Sequence, residues 1–198
     1  ARERTLLDRW MLSELHLAVQ SVGAALDRFL VFVAAQSLID LAESLSNWYV
    51  RRSRARYWGP GLEQDKRDAY ATLYEALTTT ARLIAPFVPF FAEELYQNLV
   101  VGPGLAAGNP SVHLSAFPEP DASLIDERLS SDTRAVRDIV SLGLSVRTAN
   151  KLKVRQPLAR ADVVFNDVAL MQRLDSYRDL VREELNVREV RFMAGGDD

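Results

Sequence analysis

Several kinds of site are excluded by what this sequence lacks. Its 198 residues contain no cysteine and only two histidines, so disulfides and thiolate metal sites cannot form. His16 and His113 each lack a second histidine three or four positions away, and this spacing does not favour a metal site. No apolar run is long enough to cross a membrane, and the first residues lack the apolar stretch of a signal peptide. We therefore expect a soluble, cytoplasmic protein.

Residue patterns of the common catalytic sites are also missing. Neighbouring glutamates at 93–94 and 183–184 would point about 100° apart on a helix, which does not suit a pair acting on one substrate. The glycines of the 101–110 stretch have the wrong spacing for a dinucleotide-binding loop and follow a helical pattern instead of a strand. The sequence thus indicates binding instead of catalysis.

Positive charge is concentrated in two segments. The first basic segment, residues 47–58 (NWYVRRSRARYW), holds four arginines, two tryptophans and two tyrosines without an acidic residue. The second basic segment, residues 147–160 (RTANKLKVRQPLAR), holds five positive charges and again no acid, although the whole chain has a net charge of −3. Arginine forks fit phosphates and base edges, and aromatic faces stack on unpaired bases. This segregation of charge favours a single-stranded nucleic acid partner, although basic runs are also common on plain solvated faces.

The spacing of the first basic segment predicts a binding face. On a continuous α-helix, one stripe would carry Asn47, Arg51, Arg54 and Trp58. The apolar residues upstream keep a similar period on a different side of the same helix, so that one face could be buried and the other offered to RNA. These apolar residues are Leu30, Ala34, Leu38, Leu41 and Leu45.

Apolar periodicity predicts helices in the first part of the chain. We expect helices over residues 6–22 and 24–56, separated at Gly23, and a third over 64–85. Pro86 should end the third helix and Pro89 should start another that continues to Leu99. Residues 101–110 should form a loop, and 111–120 should be extended. The result would be an antiparallel helix bundle over residues 1–118.

The remaining residues, 119–198, predict a small α/β subdomain packed on the bundle. We expect a helix over 126–150, a strand over 161–165, a helix over 167–185 and a strand over 187–193. Asn166 and Asn186 lie where helix caps are needed. A strand, helix, strand unit would make the two strands parallel with a right-handed crossover. The predicted fold class is therefore mainly α with a small C-terminal α/β part.

Five segments carry a resemblance to a known family: LDRWMLSEL, LSNWYVRRSRARYW, LYEALTTTARLIAPFVPFFAEELYQNL, KLKVRQPL and REELNVREV. Through them, nearly the whole chain resembles the anticodon-binding region of isoleucyl-tRNA synthetases, a family of class I aminoacyl-tRNA synthetases. APFVPF is shared with the valyl, leucyl and methionyl enzymes, whereas RRSRARYW, KVRQPL and EELNV in this order are more specific. The ATP-site signatures of the HIGH and KMSKS types and an editing domain are absent.

The resemblance implies a helical module that recognises the anticodon stem and loop of isoleucine tRNA. It implies no catalysis and no cofactor here, because ATP and magnesium would bind in the catalytic domain of a longer parent chain, which would be a further partner of this module. A start at Ala1 and the ending AGGDD fit an excised piece of such a chain, which we expect to be monomeric. The equivalent valyl module and a helical domain that binds an acidic protein remain alternatives.

The family's basic signature also supplies candidate tRNA contacts. Trp48 falls nearest the apolar stripe, so we expect it to be buried instead of stacked on a base. The second basic segment gives further candidates, which could instead dock the small subdomain onto the bundle. The tRNA-binding candidates are Asn47, Arg51, Arg52, Arg54, Arg56, Trp58, Lys151, Lys153, Arg155 and Gln156.

Overall fold

A computed structural model describes residues 4–195, which divide into two compact units between Asp126 and Glu127. The first unit is helical, and the second combines helices with a two-stranded parallel sheet. The predicted fold class is thus confirmed. The predicted boundary after residue 118 lies eight residues before the observed division.

Residues 119–126 belong to the first unit because their backbone is bonded to its first helix. His16 Nδ1 accepts a hydrogen bond from the Asp121 amide at 3.0 Å. Ser13 Oγ accepts from the Asp126 amide at 2.9 Å and donates to its carbonyl at 3.2 Å. These bonds bury the imidazole of His16 and explain why the compact unit extends to residue 126.

The first helix, α1 (Leu6–Asp27), is longer than predicted. Thr5 caps it by accepting the Asp8 amide, and its buried face includes Trp10, Met11 and Leu15. The predicted break at Gly23 is wrong, because this glycine lies inside the helix. The chain turns instead around Phe29, which adopts a φ of 58°. A glycine costs a helix only about 1 kcal/mol, which the packing of α1 against its neighbours can offset.

The predicted single helix over 24–56 is also wrong. The chain forms α2 (Val31–Glu43), a π-helical segment (Ser44–Val50) and, after a turn at Ser53, the short α3 (Arg54–Trp58). The 3.6-residue period therefore does not hold across the first basic segment. Burial of Trp48, Tyr49 and Ser53 accompanies this change, which shows tertiary packing overriding a local repeat.

Proline determines the next break, as predicted. The helix α4 (Gln64–Ile84) stops before Pro86, and α5 (Pro89–Tyr96) begins with a proline in its first turn. A π-helical turn (Gln97–Val101) continues α5. The predicted interruption of the third helix at these two prolines is confirmed.

The predicted extended stretch over 111–120 is wrong at its start, where Val112–Leu114 forms a 3₁₀ turn. Glu93 on α5 holds this turn, since its Oε2 accepts the Val112 amide and the Ser111 hydroxyl, both at 2.9 Å. A second 3₁₀ turn follows at Ala122–Leu124. The Ser111 hydroxyl also accepts a hydrogen bond from the His113 amide, so a local cap and a carboxylate from another helix both stabilise the turn.

The second unit begins with α6 (Glu127–Ala149) and continues with β1 (Leu158–Phe165). The predicted single helix over 167–185 is divided into α7 (Val168–Leu174) and α8 (Arg178–Leu185) by a 3₁₀ turn at Asp175–Tyr177. The strand β2 (Val187–Ala194) then pairs with β1. The pairing is parallel, which confirms that part of the prediction.

The two predicted caps have different outcomes. Asn186 is confirmed as a C-cap, with the left-handed backbone (φ 48°) that ends α8. The N-cap of α7 is Asp167 and not Asn166, because the Asp167 carboxylate accepts the amides of Ala169 and Leu170. An N-cap side chain accepts hydrogen bonds from amides two and three residues later in the chain, and Asp167 stands at this distance from Ala169 and Leu170.

Two helical glycines should respond oppositely to alanine. A Cβ at Gly143 would lie 2.5 Å from Cδ2 of the buried Leu185, whereas a Cβ at Gly23 would meet nothing within 4 Å. We expect Gly143→Ala to lower the free energy of unfolding by about 1 to 3 kcal/mol through overpacking. Gly23→Ala should raise it by about 0.5 to 1 kcal/mol through helix propensity. Urea unfolding followed by circular dichroism measures both, and equal effects would contradict the contact at Gly143.

Candidate nucleic-acid interface

A buried ion pair ties the first basic segment to α1. The carboxylate of Asp8 is fully buried and accepts two parallel hydrogen bonds from Arg56, from Nη1 at 2.8 Å and from Nη2 at 2.7 Å. The Tyr49 hydroxyl donates to the same carboxylate at 2.6 Å, and the Thr5 hydroxyl does so at 2.7 Å. Such bidentate pairing fixes orientation as well as distance. We call Asp8, Arg56 and Tyr49 the anchor.

The anchor perturbs the protonation of its own members. Burial alone would raise the pKa of Asp8, but the hydrogen bonds from Arg56, Tyr49 and Thr5 outweigh burial and lower it below the ordinary value. Burial and the bond to Asp8 raise the pKa of Tyr49. The carboxylate therefore stays charged and the phenol stays neutral at ordinary pH, which preserves the anchor.

Arg56, one of the predicted tRNA contacts, is bound by two carboxylates of the protein itself. Besides Asp8, its guanidinium binds Asp65 at the start of α4, where Nε lies 3.0 Å and 2.9 Å from the two carboxylate oxygens. Only 14% of the Arg56 side chain is exposed. Its N–H groups donate to carboxylates on two helices, α1 and α4. Arg56 therefore attaches the first basic segment to these helices, and its side chain does not project into solvent.

Four other predicted residues lie on the surface. Asn47, Arg51, Arg54 and Trp58 are all exposed, although they do not share one regular helix. The Nε of Arg51 donates to the Asn47 carbonyl at 2.8 Å, and the Arg54 guanidinium lies 5.7 Å from the centre of a Trp58 ring. Trp58 is 78% exposed, so its ring is accessible. We call these four residues the first-unit face.

Trp48 and Arg52 differ from that face. Trp48 is buried, which confirms the burial expected from its place near the apolar stripe. Its ring lies 5.6 Å from the Arg51 guanidinium and 5.9 Å from that of Arg52, within the range of cation–π attraction. Arg52 is half-buried. The buried Trp48 ring thus contacts both arginines and helps to position them.

The second basic segment divides in a similar way. Lys151, Lys153, Arg155 and Gln156 are exposed, in the loop between α6 and β1. Arg147, by contrast, is buried and directs its guanidinium at backbone carbonyls of the second unit. Each basic segment therefore has exposed cations and one arginine used internally.

Sequence reasoning named Arg56 only as a tRNA contact and missed Asp8 and Tyr49, although one signal was present. Asp8 shares the apolar side of α1 with Leu12 and Leu15 at i+4 and i+7, and all three are buried. A carboxylate on a buried face needs a cationic partner, because an unpaired buried charge is costly. The pattern predicts such a partner without identifying it.

The exposed residues of the first-unit face suit a nucleic acid, which offers both phosphates and flat bases. Exposed arginines can bind phosphates or base edges, and an exposed tryptophan can stack on an unpaired base.

The match to protein families decides which domain it is: residues 8–164 match the model of the anticodon-binding domain of tRNA ligases. The chain belongs to this family. The resemblance stated from the sequence is therefore confirmed at the level of the domain.

Individual relatives point to one ligase. The chain is 43% identical over 96% of its length to isoleucine–tRNA ligase of Clostridium novyi, and 47% identical over 92% to that of Dehalococcoides mccartyi. It is 42% identical over 99% to that of Deinococcus radiodurans. In each case the chain spans 18% of the relative's length.

Within residues 4–195, no helix is long and apolar enough to span a bilayer.

Proposed function

We propose that this anticodon-binding domain recognises the anticodon stem and loop of isoleucine tRNA within an isoleucine–tRNA ligase. The observation that carries the proposal is the first-unit face, in which exposed arginines and Trp58 stand on a segment fixed by the buried anchor. Relatives named isoleucine–tRNA ligase at 42–47% identity favour isoleucine over valine.

Preorganisation explains how such a face would gain affinity. A segment already held by the Asp8–Arg56 pair does not have to be ordered when RNA binds, so less conformational entropy is lost. The guanidinium groups of Arg51 and Arg54 then contact phosphates or base edges, while the indole of Trp58 stacks on an unpaired base. Asn47 supplies an amide that can both donate to and accept from a base.

In this proposal, a different domain of the parent enzyme carries out its other functions. ATP, magnesium and isoleucine bind in a catalytic domain that is joined to this one, and the domain itself holds no cofactor and acts as a monomer in the cytoplasm. The sequence contains no ATP-site signature of this enzyme class. Without that domain, the chain should therefore neither form isoleucyl adenylate nor charge tRNA.

Alanine variants of the first-unit face should weaken tRNA binding in distinguishable ways. Arg51→Ala and Arg54→Ala should each flatten the dependence of log affinity on log salt by about 0.7 for a lost phosphate contact. Trp58→Ala should cost about 1 to 3 kcal/mol of binding free energy with little change in that slope. Binding of isoleucine tRNA, and of the same tRNA with an altered anticodon, is measured over a salt series.

Arg28→Ala provides the matched control. Arg28 is exposed and lies 20 residues after Asp8 at the end of α1, about 30 Å away along the helix. It should leave both the slope and the anticodon preference unchanged. Folded Arg51 and Arg54 variants with wild-type affinity, slope and preference would refute the proposal, and a wild-type chain that binds no tRNA would favour the alternative of an acidic protein partner.

A further inference from the structure

The loop between α6 and β1 is held by an unusual buried arginine. Arg147 is 3% exposed, and its guanidinium donates to four backbone carbonyls. Two of these belong to the loop, Lys153 at 3.1 Å and Gln156 at 3.0 Å. The other two, Leu185 at 2.7 Å and Asn186 at 3.0 Å, join α8 to β2. One side chain therefore ties both ends of the loop's central turn to the rest of the second unit.

Further bonds fix the backbone of the same loop. The Asn186 side-chain amide donates to the Val154 carbonyl at 2.8 Å, and the Gln156 amide donates to the Lys153 carbonyl at 3.0 Å. Lys151 adopts a φ of 55°, a conformation that a lysine rarely takes and that the surrounding bonds must maintain. The loop is thus built to keep one shape.

The cations that this rigid loop presents are not neutralised. Within residues 4–195, Lys151, Lys153 and Arg155 form no ion pair with a carboxylate, and all three are exposed. Several other arginines of the second unit do pair with carboxylates. Those arginines are Arg160, Arg173, Arg178, Arg182 and Arg191. Arg128, Arg134 and Arg188 also form no ion pair within the described residues of this unit, but the loop places three such cations within five consecutive positions, 151–155.

We propose that the 151–156 loop is a phosphate-binding site for the sugar–phosphate backbone of tRNA, with Arg147 as its positioning residue. The inference rests on the proposed function and assigns the second unit a separate task. Lysine ammonium groups act as point charges that suit phosphates and carry little base specificity. The loop therefore adds affinity that does not depend on the anticodon, while the first-unit face supplies discrimination.

Single substitutions in the loop test the site directly. Lys151→Ala, Lys153→Ala and Arg155→Ala are compared with wild type for binding of isoleucine tRNA and of its altered-anticodon version. Each lost phosphate contact should reduce the salt slope by about 0.7 to 0.9, so the variant's disadvantage should shrink about threefold between 50 and 200 mM salt. Affinity for the two tRNAs should fall by the same factor.

The control is Arg134→Ala, on the same unit. Arg134 is exposed on α6 and lies 13 residues before Arg147, about 20 Å along the helix. It should change neither affinity nor slope. Loop variants that behave like this control would overturn the loop site while leaving the proposed function intact. A wild-type chain that binds both tRNAs equally, with loop variants weakened, would overturn anticodon recognition and support the loop.

A double-mutant cycle separates positioning by Arg147 from mere stabilisation. Lys153→Ala is measured in the wild type and in an Arg147→Lys background, at a temperature where circular dichroism shows both to be folded. If Arg147 positions the loop, Lys153→Ala should lose less affinity in the Arg147→Lys background than in the wild type. Equal losses in the two backgrounds would overturn the positioning role. Arg147→Lys should keep part of the salt slope, because lysine can still donate to some of the carbonyls.

Discussion

Arg56→Ala should lower the free energy of unfolding by about 3 to 5 kcal/mol, a large part of the stability of a small domain. The reason is that Asp8, which is fully buried, would keep its negative charge but lose both bonds from the guanidinium. Tyr49 and Thr5 would still donate to the carboxylate, yet neither supplies a positive charge. Removing one member of a buried ion pair is costly because the remaining charge stays buried without an opposite charge beside it.

Tryptophan fluorescence during urea unfolding measures this loss in the first unit, which contains Trp10, Trp48 and Trp58, all the tryptophans of the chain. The matched control is Arg54→Ala, two residues earlier and exposed, which should change stability by less than about 0.5 kcal/mol. Similar losses for the two variants would show that the Asp8–Arg56 pair contributes little.

Replacing both members of the pair gives a second check on the cause. Asp8→Leu combined with Arg56→Met removes both charges and keeps apolar volume, so the double variant should be more stable than Arg56→Ala alone. If instead the double variant is as unstable as Arg56→Ala, an uncompensated carboxylate is not the cause of the loss.

Arg147→Met should destabilise the second unit by about 3 kcal/mol. Methionine fills similar space but cannot donate, so the four carbonyls that the guanidinium binds would lose a donor. A buried acceptor left without a partner costs about 1 to 3 kcal/mol, and some of the four can recover by binding water at the loop.

Hydrogen exchange localises the effect of this change. Amides of α8 and β2 should exchange faster in Arg147→Met than in wild type, because the bonds at Leu185 and Asn186 connect these two elements. Arg134→Met is the control, since it removes an exposed arginine from the same helix. Unchanged protection of α8 and β2 in Arg147→Met would contradict a stabilising role for the four bonds.

Local sequence determines much of the fold because its causes are local. Pro86 and Pro89 break the third helix, since a proline lacks an amide hydrogen and restricts the residue before it. Asn186 ends α8 because asparagine tolerates the left-handed backbone. The order of strand, helices and strand in the second unit likewise predicts parallel pairing.

Helix continuity was harder to predict, because tertiary packing competes with propensity. The π-helical segment and the turn at Ser53 interrupt a sequence that contains no proline or glycine between Ala24 and Arg56. The same competition divides the helix after β1 at Asp175–Tyr177. A repeat of 3.6 residues describes an isolated helix, whereas a packed one adjusts to the side chains it must bury.

The sequence by itself determined where positive charge and aromatic rings are concentrated, and membership of an anticodon-binding family agrees with that concentration. Only the tertiary structure decided which cations face outward. Arg54 and Arg56 are two residues apart and chemically identical, yet Arg56 meets Asp8 from 48 positions earlier in the chain. Arg147 likewise meets carbonyls 38 and 39 positions later. A guanidinium's role depends on which acceptors folding brings within about 3 Å of it, and such distant partners leave no local period in the sequence.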